Sequence, residues 1–333
     1  VKLNFINLEK IMNKSYLIIL SLLITGIGYG QKPANSNEFA HTFSIIAQDP
    51  DTGDMAVGVQ SHWFSVGTAV PWGKSGVGVV ATQSFVNQRY GYEGLQLMEN
   101  GKSADKAIEQ LKKEDEGAAF RQVAMLSKDG SIAAFTGEKC VEAALHLIGD
   151  HYSIQANMME DENVVYAMRK AYEENDTLDL AERVVMAMKA AQKSGGDIRG
   201  KQSSALIVVG KDAAEQPWLD KKIDLRVEDH KTPVEELSRL LNSHRAYEFM
   251  SKGDVAMENQ NPEAALMAYN SAEKLLPNNN EIKFWKAVAL VNSDQVKMSV
   301  PIFERLFRND KRWQRLLERL PSSELITIDK SAL

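Results

Sequence analysis

Six short clusters of polar residues and glycines stand at the ends of apolar runs: Ser61-His62, Pro71-Trp72-Gly73, Thr82-Gln83-Ser84 with Asn87, Thr136-Gly137, Gln155-Ala156-Asn157, and Gly195-Gly196-Asp197-Ile198-Arg199-Gly200-Lys201-Gln202-Ser203. Hydroxyls, carboxamides and one carboxylate beside a guanidinium are groups that can bind and polarise an amide or a carboxylate. Strand ends suit them, because the strand holds the backbone rigid while the loop exposes the side chain. The last cluster is the richest. Its Asp197 and Arg199 carry opposite charges between glycines, so the loop can bind a carboxylate or amide through Arg199 and exposed N–H groups, or close on itself as a salt-bridged connection. Each cluster alone also fits turn chemistry, with glycine supplying positive φ and Ser or Asp capping helices.

Several other chemistries drop out. The sequence has no glycine loop ending in Gly-Lys-Ser/Thr, no His-Glu-x-x-His and no Gly-x-Ser-x-Gly, which removes the phosphate-binding, zincin and serine-elbow classes. Its six histidines are scattered, and the single cysteine, Cys140, allows neither an intrachain disulfide nor a multi-cysteine zinc site. Cys140 precedes the stretch Val141-Glu142-Ala143-Ala144, a context that suits a buried small residue better than a reactive thiol. No metal and no cofactor is expected.

The elements that must hold these clusters follow from periodicity. Residues 42–49 alternate Phe43, Ile45 and Ala47 against Ser44, Ile46 and Gln48, and Pro50-Asp51-Thr52-Gly53 supplies a turn before Met55, Val57 and Val59; the pattern predicts a β-hairpin. Val77 to Thr82 is apolar on both faces, as in a doubly covered strand. Ala104, Ala107, Ile108 and Leu111 then fall at helical spacing behind a Ser103 cap. Strands are predicted over 123–126 and 132–135, two amphipathic helices over 164–172 and 181–188, and a strand over 205–209. This order is α+β rather than alternating βαβ, and suits sheets sandwiched by helices.

After Pro233 the pattern is wholly helical. Counting from Phe249, Gly253, Ala265, Tyr269, Ala272 and Pro277 fall at tetratricopeptide-repeat spacing, in which small residues let two antiparallel helices approach. A degenerate second unit is expected over 282–307, with Trp313, Leu316 and Leu317 on a capping helix. At the other end, Asn13-Lys14 precede a nearly uncharged run from Tyr16 to Gly30, too short to span a membrane and followed by small residues. That pattern predicts a signal peptide cleaved near Gly30, behind an upstream extension over Val1 to Glu9. The expected organisation is therefore 1–30 extension and signal peptide, 31–40 linker, 41–229 main domain and 233–333 helical repeats, in an exported protein of the periplasm or the extracellular space with no membrane span left after cleavage.

With 44% apolar and 25% charged residues among 333, the composition is globular. The net charge of −6 falls on the main domain, since residues 1–41 are net positive and residues 233–333 balance 14 basic against 14 acidic groups. An acidic domain excludes nucleic acid as its partner. A twofold contact covering a sheet edge or repeat face predicts a homodimer.

His41 to Pro50, Val70-Pro71-Trp72-Gly73, Gly76 to Gln83, Tyr90-Gly91, Tyr152 to Asn157 and Gly195 to Ser203 together resemble, in that order, the bacterial domain of unknown function 1028. The resemblance covers nearly all of residues 42–210. It implies membership of the N-terminal-nucleophile (Ntn) hydrolases and hence a four-layer αββα sandwich. It also implies amide hydrolysis of a small amide or peptide-like substrate by a residue that opens the first strand and uses its own α-amine as base. Carried onto this sequence, that nucleophile is Thr42, with Ser44 second. Gln83, Asn87 and Asn157 become oxyanion donors, Lys74 and the Asp197–Arg199 pair charge partners, and Ser61, Gln202 and Ser203 further substrate contacts. The mechanism needs the His41-Thr42 bond to be cut. Without the cut, the alternative is a non-catalytic binding or scaffolding protein whose helical repeats grip a peptide or protein partner.

Overall fold

The computed structural model describes residues 38–40 and 42–326. The expected upstream extension and signal peptide, most of the linker, and the His41 side of the His41-Thr42 bond lie outside the described residues. The described residues from Phe39 onward form one compact unit. It is a mixed α+β assembly of antiparallel sheets followed by a helical C-terminal region.

The predicted hairpin is β2 (Thr42–Gln48) and β3 (Met55–Ser61), paired from Thr42 opposite Ser61 to Gln48 opposite Met55. Its turn forms because the Asp49 carboxylate accepts the N–H groups of Asp51 and Thr52 at 3.0 and 2.7 Å, while Gly53 takes a φ of 74° open to glycine at no steric cost. The hairpin lies at the centre of a six-stranded sheet. β8 (Leu145–Gly149) and β9 (Tyr152–Ala156) flank β2, while β10 (Ser203–Val209) and β11 (Lys221–Val227) flank β3. Edge strand β11 alternates half-buried and exposed positions and points Lys222, Asp224 and Arg226 outward, which discourages pairing with a further strand.

The second sheet orders β1 (Glu38–Ala40), β5 (Gly78–Val86), β6 (Arg121–Ser127) and β7 (Ile132–Thr136), with β4 (Pro71–Lys74) also on β5. Three apolar cores result. One lies between the sheets, where Ile46, Val57, Val59 and Ile207 meet Val79, Ala81, Ala124 and Leu126. Another lies between the six-stranded sheet and helices α3 (Asn163–Glu174) and α4 (Leu180–Lys193), with Phe43, Ile45 and Ile154 against Met168, Val184 and Met188. The third joins the five-stranded sheet to α1 (Arg89–Glu99) and α2 (Ala104–Lys113) through Val80, Met125, Tyr90 and Leu111. Each fully buried Ile, Phe or Met contributes roughly 1.5–3 kcal/mol. Ser103 sits at the α2 N-cap position, but its hydroxyl makes no cap bond; the Ala104 N–H is taken instead by Ser131 Oγ at 3.2 Å.

The helical region opens with α5 (Pro233–Glu258), whose two halves serve different cores. Val234, Leu237 and Leu241 pack into the α3/α4 core, whereas Ala246 and Met250 pack against Ala265, Tyr269 and Ala272 of α6 (Pro262–Leu275). The expected boundary at 229–233 marks the start of a helix, but the sheet-domain core continues past it. α7 (Asn280–Asn292), α8 (Val296–Asn309) and α9 (Lys311–Leu317) then close a last core around Phe284, Phe303, Leu306 and Leu317. Pro277 lies two residues past the end of α6.

Gly253 of α5 lies against Tyr269, where an added Cβ would stand 2.5 Å from the ring. Gly253→Val adds bulk at this crossing without gaining much helix propensity. It is expected to lower unfolding stability by about 1–3 kcal/mol, measured as a shift of the urea midpoint at unchanged slope.

Candidate functional site

β2 places its side chains alternately on the helix side and the inter-sheet side. Phe43, Ile45 and Ala47 pack toward α3 and α4, and Ile46 packs between the sheets, so Thr42 and Ser44 share the inter-sheet face. Thr42 pairs with Ser61 of β3, Ser61 pairs with Ser203 of β10, and on the other flank the Asn157 N–H donates to the Thr42 carbonyl at 3.1 Å. Four polar residues thus form one row across the end of the six-stranded sheet, all of them buried.

The next row inward is a hydrogen-bonded seam between the sheets. Ser44 stands opposite Gln155 on β2 and β9, and Gln83 stands opposite Gln122 on β5 and β6. The Gln155 amide donates to Ser44 Oγ at 2.7 Å, and the Ser44 hydroxyl donates to Gln83 Oε1 at 2.6 Å. Gln83 Nε2 donates to Gln122 Oε1 at 2.7 Å and to the carbonyls of Thr42 and Gln155 at 3.2 and 3.3 Å. Gln122 Nε2 donates onward to the Ala156 carbonyl and Thr136 Oγ1, each at 2.9 Å, and Asn157 Nδ2 donates to Gln122 Oε1 at 2.9 Å. The Thr42 carbonyl therefore holds two N–H groups, one from each sheet. Just past Gln83, Ser84 takes a left-handed backbone with φ 71°, uncommon for a residue other than glycine.

The loops beyond the row close around Asp197. Its buried carboxylate accepts the His62 N–H at 3.0 Å, the Arg199 N–H at 2.9 Å and the Arg199 guanidinium at 2.7 and 3.1 Å. Of the two readings of the Gly195–Ser203 run, the salt-bridged connection is the one formed. Ser203 Oγ accepts the Val66 N–H at 3.0 Å and donates to the Trp63 carbonyl, so it ties the loop after β3 to β10. Phe64 and Ile198 stand exposed in this same loop cluster.

The remaining expected residues fall elsewhere or take other work. Lys74 pairs with Gly78, at the opposite end of β5 from Gln83, and its ammonium meets Glu99 in an exposed salt bridge of 2.6 Å; it is no charge partner for Thr42. Asn87 accepts the Arg89 N–H at 3.1 Å where α1 begins, and its amide reaches Asp115 at 3.4 Å. Gln202 lends its carbonyl to the His230 N–H at 2.8 Å. Ser44 is hydrogen-bonded on both sides and acts as a strut in the seam. The side-chain amides of Gln83 and Asn157 are committed to protein acceptors; Gln83 Nε2 and the Asn157 backbone N–H hold the Thr42 carbonyl. Cys140 is partly buried; burial pushes its thiol up, and the thiol donates to the Arg121 carbonyl at 3.4 Å.

Sequence reasoning missed Gln122 and His146 as members of this assembly, whereas Thr136 stood among the strand-end clusters. A glutamine in the otherwise apolar Gln122-Val123-Ala124-Met125-Leu126 run was the available signal. It also missed the buried pair of Asp115 and Arg121, 2.9 Å apart, which braces the loop behind β5. Burial alone would raise the Asp115 carboxyl, but Arg121 and the Gly117 N–H outweigh it and hold it below the usual carboxylate range. Among the described residues no three His, Cys, Asp or Glu side chains converge as a metal site.

Residues 42–237 match a family of unknown function, DUF1028. The chain belongs to it. A solved DUF1028 relative, protein SPO2555 from Silicibacter pomeroyi, is 28% identical and superposes with a TM-score of 0.54 over 60% of this chain and 88% of its own. No curated protein matches the chain. The match begins at Thr42 and runs into α5, as the continuous core does.

Replacing Gln83 by Leu removes one donor from the Thr42 and Gln155 carbonyls and from Gln122 Oε1, and takes away the acceptor of the Ser44 hydroxyl. Gln83→Leu is expected to cost about 3 kcal/mol in urea unfolding, well above the effect of an exposed Gln→Leu change on α3 or α4.

Proposed function

We propose that the DUF1028 domain of this chain is an Ntn-type hydrolase of a small amide or peptide-like substrate. The observation that carries the reading is the setting of Thr42. It opens β2, faces the gap between two sheets, and has its carbonyl held from both. The succession of helix pair, sheet, sheet and helix pair supports the αββα sandwich of that superfamily. In the unprocessed chain the Thr42 nitrogen is an amide and cannot act as a base. Cleavage of the His41-Thr42 bond converts it to an amine, whose pKa near 7.7–8.0 leaves a useful neutral fraction at pH 7.

The Thr42 hydroxyl then attacks the substrate carbonyl and gives its proton to this amine, which passes it to the departing nitrogen. An ester of Thr42 and a free amine result. Water cleaves the ester by the same proton route, releasing a carboxylic acid and restoring the hydroxyl. Asp197 and Arg199 form the wall of the site beside His62, and the neutral hydroxyls and amides around Thr42 favour an uncharged amide. The signal-peptide pattern over 1–30 supports an exported hydrolase acting outside the cytoplasm, with a homodimer as the expected assembly.

A second role belongs to the helical region, read as a tetratricopeptide-like unit on Gly253, Ala265, Tyr269 and Ala272. A cleft of about 440 Å3 lined by Arg239, Ser243, Tyr247 and Leu276 to Asn279 favours it as a peptide-binding groove. If that role stands alone, the main domain binds without turnover.

Intact-mass and N-terminal sequencing of the natural protein, with a panel of N-acyl-4-nitroanilides and short peptide amides, tests the hydrolase. A chain beginning at Thr42 is expected, with nitroaniline release that rises with pH as the amine deprotonates and falls about a thousandfold or more in Thr42→Ala. A mature chain still beginning near Gln31, with Thr42→Ala as active as the parent, overturns it.

A further inference from the structure

α4 and α5 lie side by side. On α4, Glu182, Val185 and Lys189 fall at helical spacing along one face, and on α5 Ser238, Leu241 and Arg245 do the same. The two faces meet antiparallel. The Lys189 ammonium donates to Ser238 Oγ at 2.7 Å at one end, and Arg245 pairs with Asp179 and Glu182 at the other. A cleft of about 320 Å3 spans these contacts, with the buried Val185 and Leu241 in its lining. At roughly 30 Å3 for each water it could hold, that space takes a body of about ten non-hydrogen atoms. Glu182 and Lys189 stand two turns apart, so the cleft runs about 10 Å along the helix.

The two ends differ in charge. Among the described residues Lys189 makes no ion pair; its partner is a neutral hydroxyl, so one positive charge stands uncompensated in a half-buried position. At the far end two carboxylates share one guanidinium, which leaves a net negative charge. We propose that this cleft binds a small monocarboxylate with an unbranched apolar body of about seven carbons, its carboxylate on Lys189 and its chain along Val185 and Leu241. The carboxylate supplies the charge that Lys189 lacks, in a setting where partial burial strengthens a charge-assisted hydrogen bond. A second carboxylate at the other end of the ligand comes within reach of Glu182 and Asp179 and is repelled. A neutral head group gains nothing from the ammonium. α4 covers the face of the six-stranded sheet opposite the one that carries Thr42, so this site is separate from the Thr42 row and does not rest on the hydrolase reading. Its occupant touches both the sheet domain and the helical region and braces the contact between them.

Titration of the full-length chain with octanoate tests the site, read by 13C-methyl NMR of Met186, which lines the same cleft. The expected result is a saturable shift of the Met186 signal, with a dissociation constant in the millimolar range or tighter. Octanamide, which has no charge, and octanedioate, which carries a second carboxylate on a chain of the same length, should each bind about tenfold more weakly or worse. Lys189→Gln should weaken octanoate about tenfold, the loss of one charge-assisted hydrogen bond, and bring it level with octanamide. Lys189→Arg, which keeps the charge, should retain most of the affinity. No Met186 shift at tens of millimolar octanoate, equal affinity for octanamide or octanedioate, or an unchanged dissociation constant in a folded Lys189→Gln overturns the proposal. If Lys189→Gln does not fold, the comparison of the three ligands decides alone, and none of these outcomes depends on amide hydrolysis.

Discussion

The structure depends on an inter-sheet contact that is half oil and half amide. Along most of its length, valine and alanine side chains meet and exclude water. At the Thr42 end, a seryl–glutaminyl pair meets a glutaminyl–glutaminyl pair instead. An uncharged amide withdrawn from water without partners costs several kcal/mol in an apolar medium, so such a seam is tolerable only when nearly every N–H and C=O in it is matched. Matching demands that the two sheets keep one register. Apolar packing alone would let them slide, because valine against alanine is indifferent to shifts of a fraction of an ångström. The seam thus converts a non-directional contact into a directional one, at the level where Thr42 sits.

The apolar cores were legible because burial writes a period into sequence. The β2–β3 hairpin, α2, α3, α4 and β10 fall where their alternating or helical stripes predict. β8 and β9 are short and flank a turn at Gly149 to His151, and β4 has only four residues. Such runs give too few periods to separate a strand from a loop. Of the residues in this row and its loops, Ser61, Gln83, Asn157, Asp197 and Ser203 stood out because they bunch at strand ends, whereas Thr42 was named only through the family resemblance. Gln122 and His146 escaped notice, since a polar residue inside a strand reveals its partner only once the opposite sheet is in place. Lys74 failed for a related reason. Its charge drew notice, but the β4–β5 register sets it far along the strand from Gln83.

The helical C-terminal region is not an appendage hung on a linker. α5 puts Val234, Leu237 and Leu241 under the sheet domain before it reaches its own partners, and Arg245 reaches back to Asp179 and Glu182 at the start of α4. Whatever seats itself on α6 or α7 pulls against a helix whose first turns belong to the core over β10 and β11. Since β10 also carries Ser203, a mechanical path of packed elements runs from the helical region to the row of Thr42. A physical path is not yet coupling, which requires two arrangements of some element along it.

The same seam separates the two hydroxyls that compete for the nucleophile's part. Ser44 accepts from Gln155 and donates to Gln83, so freeing its oxygen to attack a carbonyl would strand both glutamines in a buried setting. Its hydroxyl proton already has a fixed acceptor, and that acceptor is an amide oxygen far too weak a base to keep it. Thr42 lies one row nearer the loops, and the seam grips its backbone carbonyl. In the proposed hydrolase, holding Thr42 by its carbonyl keeps its hydroxyl and its nitrogen in a fixed relation to each other, because both sit on the same Cα. On the hydrolase proposal, a residue that carries nucleophile and base together needs no third group to align them; it needs a rigid socket, and two N–H groups donated to the Thr42 carbonyl from opposite sheets supply one.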